Sequence, residues 1–402
     1  MTSPDQPSAP RKSRALLVAS LMLLAFNLRP SLAALGPVLP EVVRDAGLSN
    51  LGAGILSTAP VLCLGIFCPL APWLGRRMGP ERAIFALLVV LAAGTAMRAL
   101  PGNVALFTGS ILVGIGIGVI NVLVPVLIKR DFGNRVPLMM AAHSMMLCAG
   151  GTLGAAVSVP IEQALDGSWS ASLAAWAIPA LAALLLWLPH VGRGGMPNAM
   201  AVMRVRGLWR NRLAWDVSLF MAFQSAAFYA GAAWLPTIMR ARGLSPADAG
   251  LALSVSILVQ IVSAFATPPL AMLGRDQRPA VLISQALLAV GIGGFLFAPL
   301  SWTWAMAVIL GLGQGALFAL ALTMILLRAR DAHVATQLSS MVQGVGYTVA
   351  AWASLVCGLV YGTAHGRESV AILFAVLSVA GTITGFGAGR NAQVAVRVES
   401  RA

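Results

Sequence analysis

Long runs of uncharged, mostly apolar residues are the feature that most constrains this chain of 402 residues. An apolar run of about 20 residues is long enough to cross the hydrocarbon core of a bilayer as one helix. Only 10% of the residues are charged and 58% are hydrophobic, whereas a soluble domain carries about 25% charged residues. Runs long enough for one span each occupy 45–76, 98–129, 135–162, 166–193, 216–240 and 248–275. The chain is therefore predicted to be an integral membrane protein.

The rest of the chain supplies the remaining spans. The region 278–328 is long enough for two helices, and a Pro-Leu-Ser sequence at 299–301 indicates the break between them. One further span is expected in each of four regions, which are 15–40, 83–100, 331–367 and 370–386. The predicted fold class is all-α, with about twelve transmembrane helices.

The basic residues predict the orientation in the membrane. The net charge is +14, and most Lys and Arg residues fall in the loops of one side if both termini are cytoplasmic. Short cytoplasmic loops carry this excess in most membrane proteins. The positive charge therefore reflects topology in a cell membrane, and without a soluble domain to carry a basic face we expect no nucleic-acid binding.

Enzyme chemistry finds no support in the sequence. No His-Glu-x-x-His pattern is present, and no paired carboxylates lie in the predicted spans. The four cysteines all fall inside predicted spans without the spacing of a metal site. We expect no enzyme activity, no cofactor and no bound metal.

An internal repeat organises the chain. The segment 40–49 returns as 236–245 with proline, arginine, glycine, leucine and serine at an offset of 196, and the glycines of 114–118 return at 311–315. A repeat of this length predicts two parallel six-helix halves, because an even number of spans returns the chain to its starting side. The predicted divisions are an N-terminal tail 1–14, halves 15–189 and 213–388, a cytoplasmic linker 190–212 and a C-terminal tail 389–402.

This architecture resembles that of the major facilitator superfamily over about 15–386. The loop 74–79 is similar to the G-x-x-x-D-R-x-G loop of that superfamily in Arg77 and Gly79, and departs from it at Pro72 and Arg76. The sequence Asn-Leu-Arg-Pro at 27–30, followed by a Gly-Pro pair at 36–37, resembles the cyanate and nitroimidazole permease branch. The resemblance implies transport of small, often anionic or polar solutes through a cavity lined by spans one, four, seven and ten.

Arg29 is the most informative single residue. It lies 15 residues beyond Arg14, or about 22 Å along a helix, and an arginine at that depth needs a partner or a water-filled cavity. No Asp or Glu lies in the middle of a predicted span. Contact with an anionic substrate is favoured, and a structural ion pair or snorkelling remains the alternative. Pro30 should make the helix irregular here, whereas Arg98 is interpreted as snorkelling to the outer interface.

Several polar side chains fall at mid-span depth. Each could hold two helices together or contribute to a polar substrate site, and as a set they favour the site. The candidate substrate-binding residues are Asn27, Arg29, Asn121, Gln224, Tyr229, Gln314, Gln343 and Tyr347. The candidate apolar walls are Phe26, Phe223, Phe228 and Phe318, and the repeated glycines are interpreted as packing positions.

His143 is the histidine predicted at membrane depth. It is a possible proton site, because an unperturbed imidazole titrates near 6.5, or it is a neutral hydrogen-bonded side chain.

The favoured function is secondary active transport of a small anionic or polar solute by alternating access around a central site. The expected partners are that solute, possible protons and the lipid bilayer, and we expect a monomer. Two alternatives stay open, which are export of neutral or acidic drugs and solute binding by a membrane receptor that does not transport.

Overall fold

The computed structural model describes residues 11–132, 135–193, 204–330 and 332–399. These residues form α-helices joined by short turns. In the first six spans the helices are α1 (Arg11–Asn27), α2 (Pro30–Ala33), α3 (Leu35–Asp45), α4 (Asn50–Phe67), α5 (Leu70–Met78), α6 (Pro80–Met97), α7 (Asn103–Phe132), α8 (Val136–Ala164), α9 (Trp169–Ala175) and α10 (Ala177–Trp187). In the last six they are α11 (Arg212–Ala241), α12 (Pro246–Ala271), α13 (Arg278–Phe297), α14 (Thr303–Arg328), α15 (Ala332–Tyr361) and α16 (Gly366–Gly389).

The helices confirm the predicted fold class. Within the described residues, 11 segments are long and apolar enough to cross a membrane. Helix α11 is the twelfth, with 30 residues, and its average hydropathy is lower because Gln224, Ser225 and Tyr229 interrupt it. The predicted break at 299–301 is present as a short 3-10 helix, Leu300–Trp302, between α13 and α14.

The first and last described residues and the described parts of the link between the halves lie on one side, called here the terminal side. Two three-residue strands, β1 (Arg204–Arg206) and β2 (Arg397–Glu399), pair antiparallel and join the link to the C-terminal segment. On the same side, Ser20 near the start of α1 donates to the carbonyl of Leu186 near the end of α10. Residues 194–203 of the predicted linker and 1–10 of the predicted N-terminal tail lie outside the described residues.

The repeated glycines pack helices in the same way in both halves. A Cβ atom on Gly118 would lie 2.9 Å from the Cα of Leu64 in α4, and one on Gly315 would lie 2.7 Å from the Cα of Gln260 in α12. Small residues let membrane helices approach closely where a larger side chain would separate them. The repeated glycines therefore serve as packing positions, as predicted.

Large apolar side chains are exposed on the outer faces of the bundle. Ile283 is 64% exposed, Leu326 is 68% exposed and Ile383 is 68% exposed. In water such a surface would favour aggregation, but in a bilayer it is matched to the lipid chains. The outward faces therefore suit a protein that crosses the membrane many times.

Among the described residues, the two halves meet mainly where α4 packs on α15, α8 on α12 and α3 on α11, and α3 also contacts α12. The contact is tight on the side opposite the termini, called here the closed side. There, Arg240 of α11 forms a two-bond ion pair with Glu41 of α3, with N–O distances of 2.9 and 2.5 Å. A Cβ on Gly250 of α12 would lie 2.7 Å from the carbonyl oxygen of Ala155 in α8. These contacts seal the bundle between its halves on the closed side.

Candidate functional site

A cavity of about 460 Å³ lies between the two halves. It is lined from the first half by spans one, two, four and five and by Arg98 at the end of span three, and from the second half by α11, α12, α14 and α15. On the terminal side it reaches Met145 and Phe265, which are 46% and 54% exposed. On the closed side it ends beneath the contact between the halves. This volume suits a small molecule.

A break in the first span places Arg29 in the cavity wall. Helix α1 ends at Asn27 and α2 begins at Pro30, so the backbone is irregular where the proline predicts it. Helix α8 approaches the break through glycines: a Cβ on Gly154 would lie 2.8 Å from the Cα of Pro30, and one on Gly151 would lie 3.6 Å from the Cβ of Arg29. The close approach fixes the backbone that carries the guanidinium.

The guanidinium of Arg29 lines the cavity without an acidic partner among the described residues. It lies over the ring of Phe228, with 5.3 Å from its Cζ to the ring centroid. Asp216 pairs instead with Arg390, at 3.6 Å between Oδ2 and Nη2. A cation–π contact contributes about 0.5–2 kcal/mol and leaves the N–H donors of the guanidinium free to bind an anion. Arg29 thus forms no structural ion pair with the described carboxylates, and its contact with an anionic substrate stays a prediction.

Seven more of the predicted polar residues border the same cavity. They are Asn121, His143, Gln224, Tyr229, Gln314, Gln343 and Tyr347. Some of their hydrogen-bonding capacity is used within the protein, since Gln224 donates to the Ser225 hydroxyl at 2.7 Å and Gln343 donates to the Ser339 hydroxyl at 2.9 Å. An amide has four hydrogen-bonding positions, so both remain able to contact a solute.

Asn27 is not part of the cavity, and its inclusion in the predicted site is corrected here. Its amide nitrogen donates to the carbonyl of Leu23 at 2.7 Å and to the carbonyl of Pro179 in α10 at 3.0 Å. The residue is 3% exposed. The bond to Pro179 shows that its side chain packs against the sixth span. Its counterpart in the repeat, Gln224, lies within the continuous helix α11 and lines the cavity.

Arg98 does not reach the outer interface, so the snorkelling interpretation is wrong. The residue is 2% exposed, and its Nη1 donates to the carbonyl of Ser31 at 2.7 Å. Thr95, one turn earlier on α6, has its hydroxyl 3.3 Å from that of Ser31. The side chain turns inward because the irregular segment after Arg29 brings a backbone carbonyl within reach.

Gln260 on α12 is a cavity residue that the sequence interpretation missed. Its amide nitrogen donates to the amide oxygen of Gln314 at 3.2 Å, which links the eighth and tenth spans at the cavity wall. The same signal that identified the other polar residues was available, because it is the one glutamine in the charge-free run 248–275.

Aromatic rings form part of the wall on the second half. Phe228 and Phe318 line the cavity, as do the paired rings of Tyr229 and Tyr347, whose centroids are 6.2 Å apart. Phe26 and Phe223 pack against the hydrophobic core instead. The site therefore combines a cation from the first half with amides and rings mainly from the second half.

His143 is buried in the cavity wall, at 4% exposure, and its Nδ1 has no hydrogen-bond partner among the residues that the structure describes. No Asp or Glu is among the described residues that line the cavity. Across the described residues, no group of three His, Cys, Asp or Glu side chains could hold a metal ion. Among the described residues that line the cavity, the titratable groups are thus His143, the two tyrosines, Cys148 and the two arginines.

The major facilitator superfamily sequence pattern matches residues 16–351. The chain belongs to this superfamily. It is 36% identical to the 2-nitroimidazole transporter of Escherichia coli (strain K12) over 393 residues, covering 95% of this chain and 98% of that protein. It is 31% identical to the cyanate transport protein CynX of the same organism, covering 84% and 88%. Members of this superfamily and these relatives are transporters rather than enzymes.

Solved structures share the fold of this superfamily member at low sequence identity. A D-xylose–proton symporter has a TM-score of 0.72 and 14% identity, covering 95% of this chain and 98% of that chain. A bacterial homolog of the human lysosomal transporter Spinster, in an inward-facing and unoccupied conformation, has a TM-score of 0.72 and 14% identity, covering 94% and 97%. At this identity the likeness shows the fold alone.

Proposed function

We propose that this protein is a secondary transporter that moves a small anionic or polar solute across the cell membrane by alternating access around the central cavity. The observation that carries the proposal is the Arg29 guanidinium, which lines the cavity over Phe228 without an acidic partner in the described chain. A charge at this depth costs at least about 2.5 kcal/mol, and an anionic group of a solute would offset that cost.

The relatives support a solute of this class. The solutes in their names are cyanate, which is an anion, and 2-nitroimidazole, which carries a polar nitro group. Both are small: cyanate is linear and 2-nitroimidazole is planar. The planar donor fork of an arginine can bind the two oxygens of a nitro group side by side and can donate to either end of cyanate, while Phe228 and Tyr347 place aromatic rings in the cavity wall. The proposed substrate-binding set is Arg29, Asn121, Gln224, Tyr229, Gln260, Gln314, Gln343 and Tyr347.

The proposed orientation places the terminal side in the cytoplasm, as the positive charge of its loops favours. In that orientation the cavity reaches toward the cytoplasm, and the Glu41–Arg240 pair closes the outer side. Alternating access then requires the two halves to separate on the outer side and close on the inner side.

His143 is the proposed proton site, should transport be coupled to protons. A protonated imidazole would add a further positive charge to those of Arg29 and Arg98 in a cavity whose described wall has no carboxylate. A bound anion would offset the charge of Arg29, so anion binding and protonation of His143 would favour each other. Such mutual coupling between two ligands is reciprocal by necessity and corresponds to anion–proton symport.

The test is uptake of labelled cyanate, formate, benzoate and 2-nitroimidazole by cells that express the native chain or one of its variants. Arg29→Ala should abolish uptake at unchanged membrane expression, and Arg29→Lys should restore little of it because lysine lacks the planar fork. Arg242→Ala is the matched control, since Arg242 binds backbone carbonyls of Phe295 and Ala298 away from the cavity. Normal uptake by Arg29→Ala would refute the anion site, and loss of thermal stability in that variant without any solute present would favour a structural role.

A further inference from the structure

Arg98 is a second buried arginine at the cavity, and most of its donors are unused. It caps the C-terminal end of α6 and is 2% exposed. Its Nη1 donates to the carbonyl of Ser31, and its Nε has no partner among the described residues. A guanidinium has five N–H donors. One hydrogen bond to a neutral carbonyl therefore leaves the charge and most of the donors uncompensated.

The position of Arg98 relative to Arg29 follows from the direction of the spans. Helix α6 runs from the terminal side and ends at the closed side, so Arg98 lies near the closed end of the cavity. Ser31, Leu35 and Gly36, which follow Arg29 toward the same end, line the cavity with it. The cavity thus has one arginine near its middle and another beyond it, with no carboxylate among the described residues of its wall.

A purely structural role explains only part of this arrangement. A hydrogen bond from α6 to the carbonyl of Ser31 would steady the irregular segment, but any neutral donor of similar length could supply it. A buried arginine without a counter-ion costs several kcal/mol. The charge is compensated if the cavity receives an anion that reaches it.

We propose that the Arg98 guanidinium is a second anion-binding group, at the closed end of the central cavity, which a small anion contacts on its way between Arg29 and the closed side. This inference rests on the proposed function in that an anion must enter the cavity. It adds a second anion-binding group to the path through the cavity. An anion that moves between Arg29 and the closed side then stays near a positive charge instead of crossing an apolar region without one.

The experiment is a titration of the purified full chain in detergent with sodium nitrate, at constant ionic strength balanced with sodium fluoride. Thermal unfolding is followed by tryptophan fluorescence. Arg98→Gln keeps a donor for the Ser31 carbonyl and removes the charge. Arg29→Gln removes the charge of the first anion-binding group, and Arg242→Gln is the control outside the cavity. We expect Arg98→Gln to raise the nitrate concentration for half-maximal stabilisation about tenfold, which corresponds to about 1.4 kcal/mol, and Arg242→Gln to leave it unchanged.

The outcomes separate this inference from the proposed function. A lower unfolding temperature of Arg98→Gln with a native nitrate response would show that Arg98 is structural only, and the inference would be overturned while Arg29 kept its role. A weaker stabilisation by nitrate in Arg98→Gln, together with partial stabilisation in Arg29→Gln, would support Arg98 as a second anion-binding group. No nitrate response in the native chain would contradict both.

A second measurement covers the case in which Arg98→Gln does not fold. Phenylglyoxal modifies accessible arginines, and mass spectrometry locates the modified sites. In the Arg29→Gln background, nitrate should slow modification of Arg98 severalfold and leave Arg242 unaffected. A rate of Arg98 modification that nitrate does not change, or no modification of Arg98 at all, would overturn the inference.

Discussion

The ion pair between Glu41 and Arg240 should hold the closed side shut, and Glu41→Gln should open it. The pair joins the two halves, and its side chains are 14% and 18% exposed. Exposed pairs contribute about 0.2–1 kcal/mol, and breaking a fully buried pair costs about 3–5 kcal/mol. Arg240 also keeps its hydrogen bond to the carbonyl of Pro37 at 3.1 Å after the substitution. We therefore expect a loss of about 1–2 kcal/mol, or a factor of 5–30 in the equilibrium between closed and open forms.

The assay is labelling of Ala232→Cys by a membrane-impermeant maleimide applied to intact cells, after the four native cysteines have been replaced. Ala232 lines the cavity, and its carbonyl packs against Gly36 of the other half. In the proposed orientation the reagent reaches this position from outside only when the closed side opens. Glu41→Gln should raise the labelling rate about 5- to 30-fold.

Asp45→Asn is the matched control, because Asp45 pairs with the adjacent Arg44 at 2.6 Å within the same half. It removes a carboxylate from the same surface and should leave the labelling rate unchanged. Exchanging the charges, with Glu41→Arg and Arg240→Glu together, should restore slow labelling. A native labelling rate in Glu41→Gln would refute the reasoning that this pair holds the halves together.

Gly154→Leu should destabilise the protein by about 1–3 kcal/mol through overpacking against the break in the first span. Thermal unfolding should show this loss against Gly344→Leu, where a Cβ would meet nothing within 4 Å. For topology, Ser301→Cys should react with an impermeant maleimide in intact cells and Gln393→Cys only after permeabilisation; the reverse pattern would invert the orientation. His143→Gln should remove the part of the pH dependence of transport that comes from protonation of the imidazole. An unchanged pH profile in that variant would exclude the histidine as the proton site.

The positions of the helices could be predicted because a bilayer excludes charge. Each charge-free run of sufficient length became a helix or a helix pair, and the Pro-Leu-Ser sequence at 299–301 became the break between α13 and α14. The repeat correctly indicated which glycines let helices approach, since Gly118 and Gly315 make equivalent contacts in the two halves. These predictions needed only the order of residues along one helix.

The orientation of individual side chains could not be predicted in this way. Asn27 and Gln224 are equivalent in the repeat, yet only Gln224 lines the cavity, because the amide of Asn27 is bound to carbonyls of α1 and α10. Arg98 turns inward to a carbonyl made available by the irregular first span. The directions of both side chains depend on a neighbouring helix that is distant in sequence. The spacing of residues along one helix therefore could not predict them.

The pairing of charges across the halves depends on the same long-range geometry. Arg44 and Arg240 are equivalent in the repeat, yet Arg44 pairs with its neighbour Asp45, while Arg240 pairs with Glu41 of the other half. The sequence showed both arginines near the ends of their spans. Which carboxylate each one meets is decided by how α3 packs against α11.

The most direct test of the central claim is flux of a small anion into proteoliposomes that contain only this protein. Cyanate, nitrite, formate and benzoate are offered one at a time with an inward gradient, with and without a proton gradient, to the native chain and to Arg29→Gln. The account predicts saturable uptake of at least one of these anions by the native chain and its loss in Arg29→Gln. Uptake by Arg29→Gln at the native rate, or no uptake of any of these anions by a folded native chain, would contradict it.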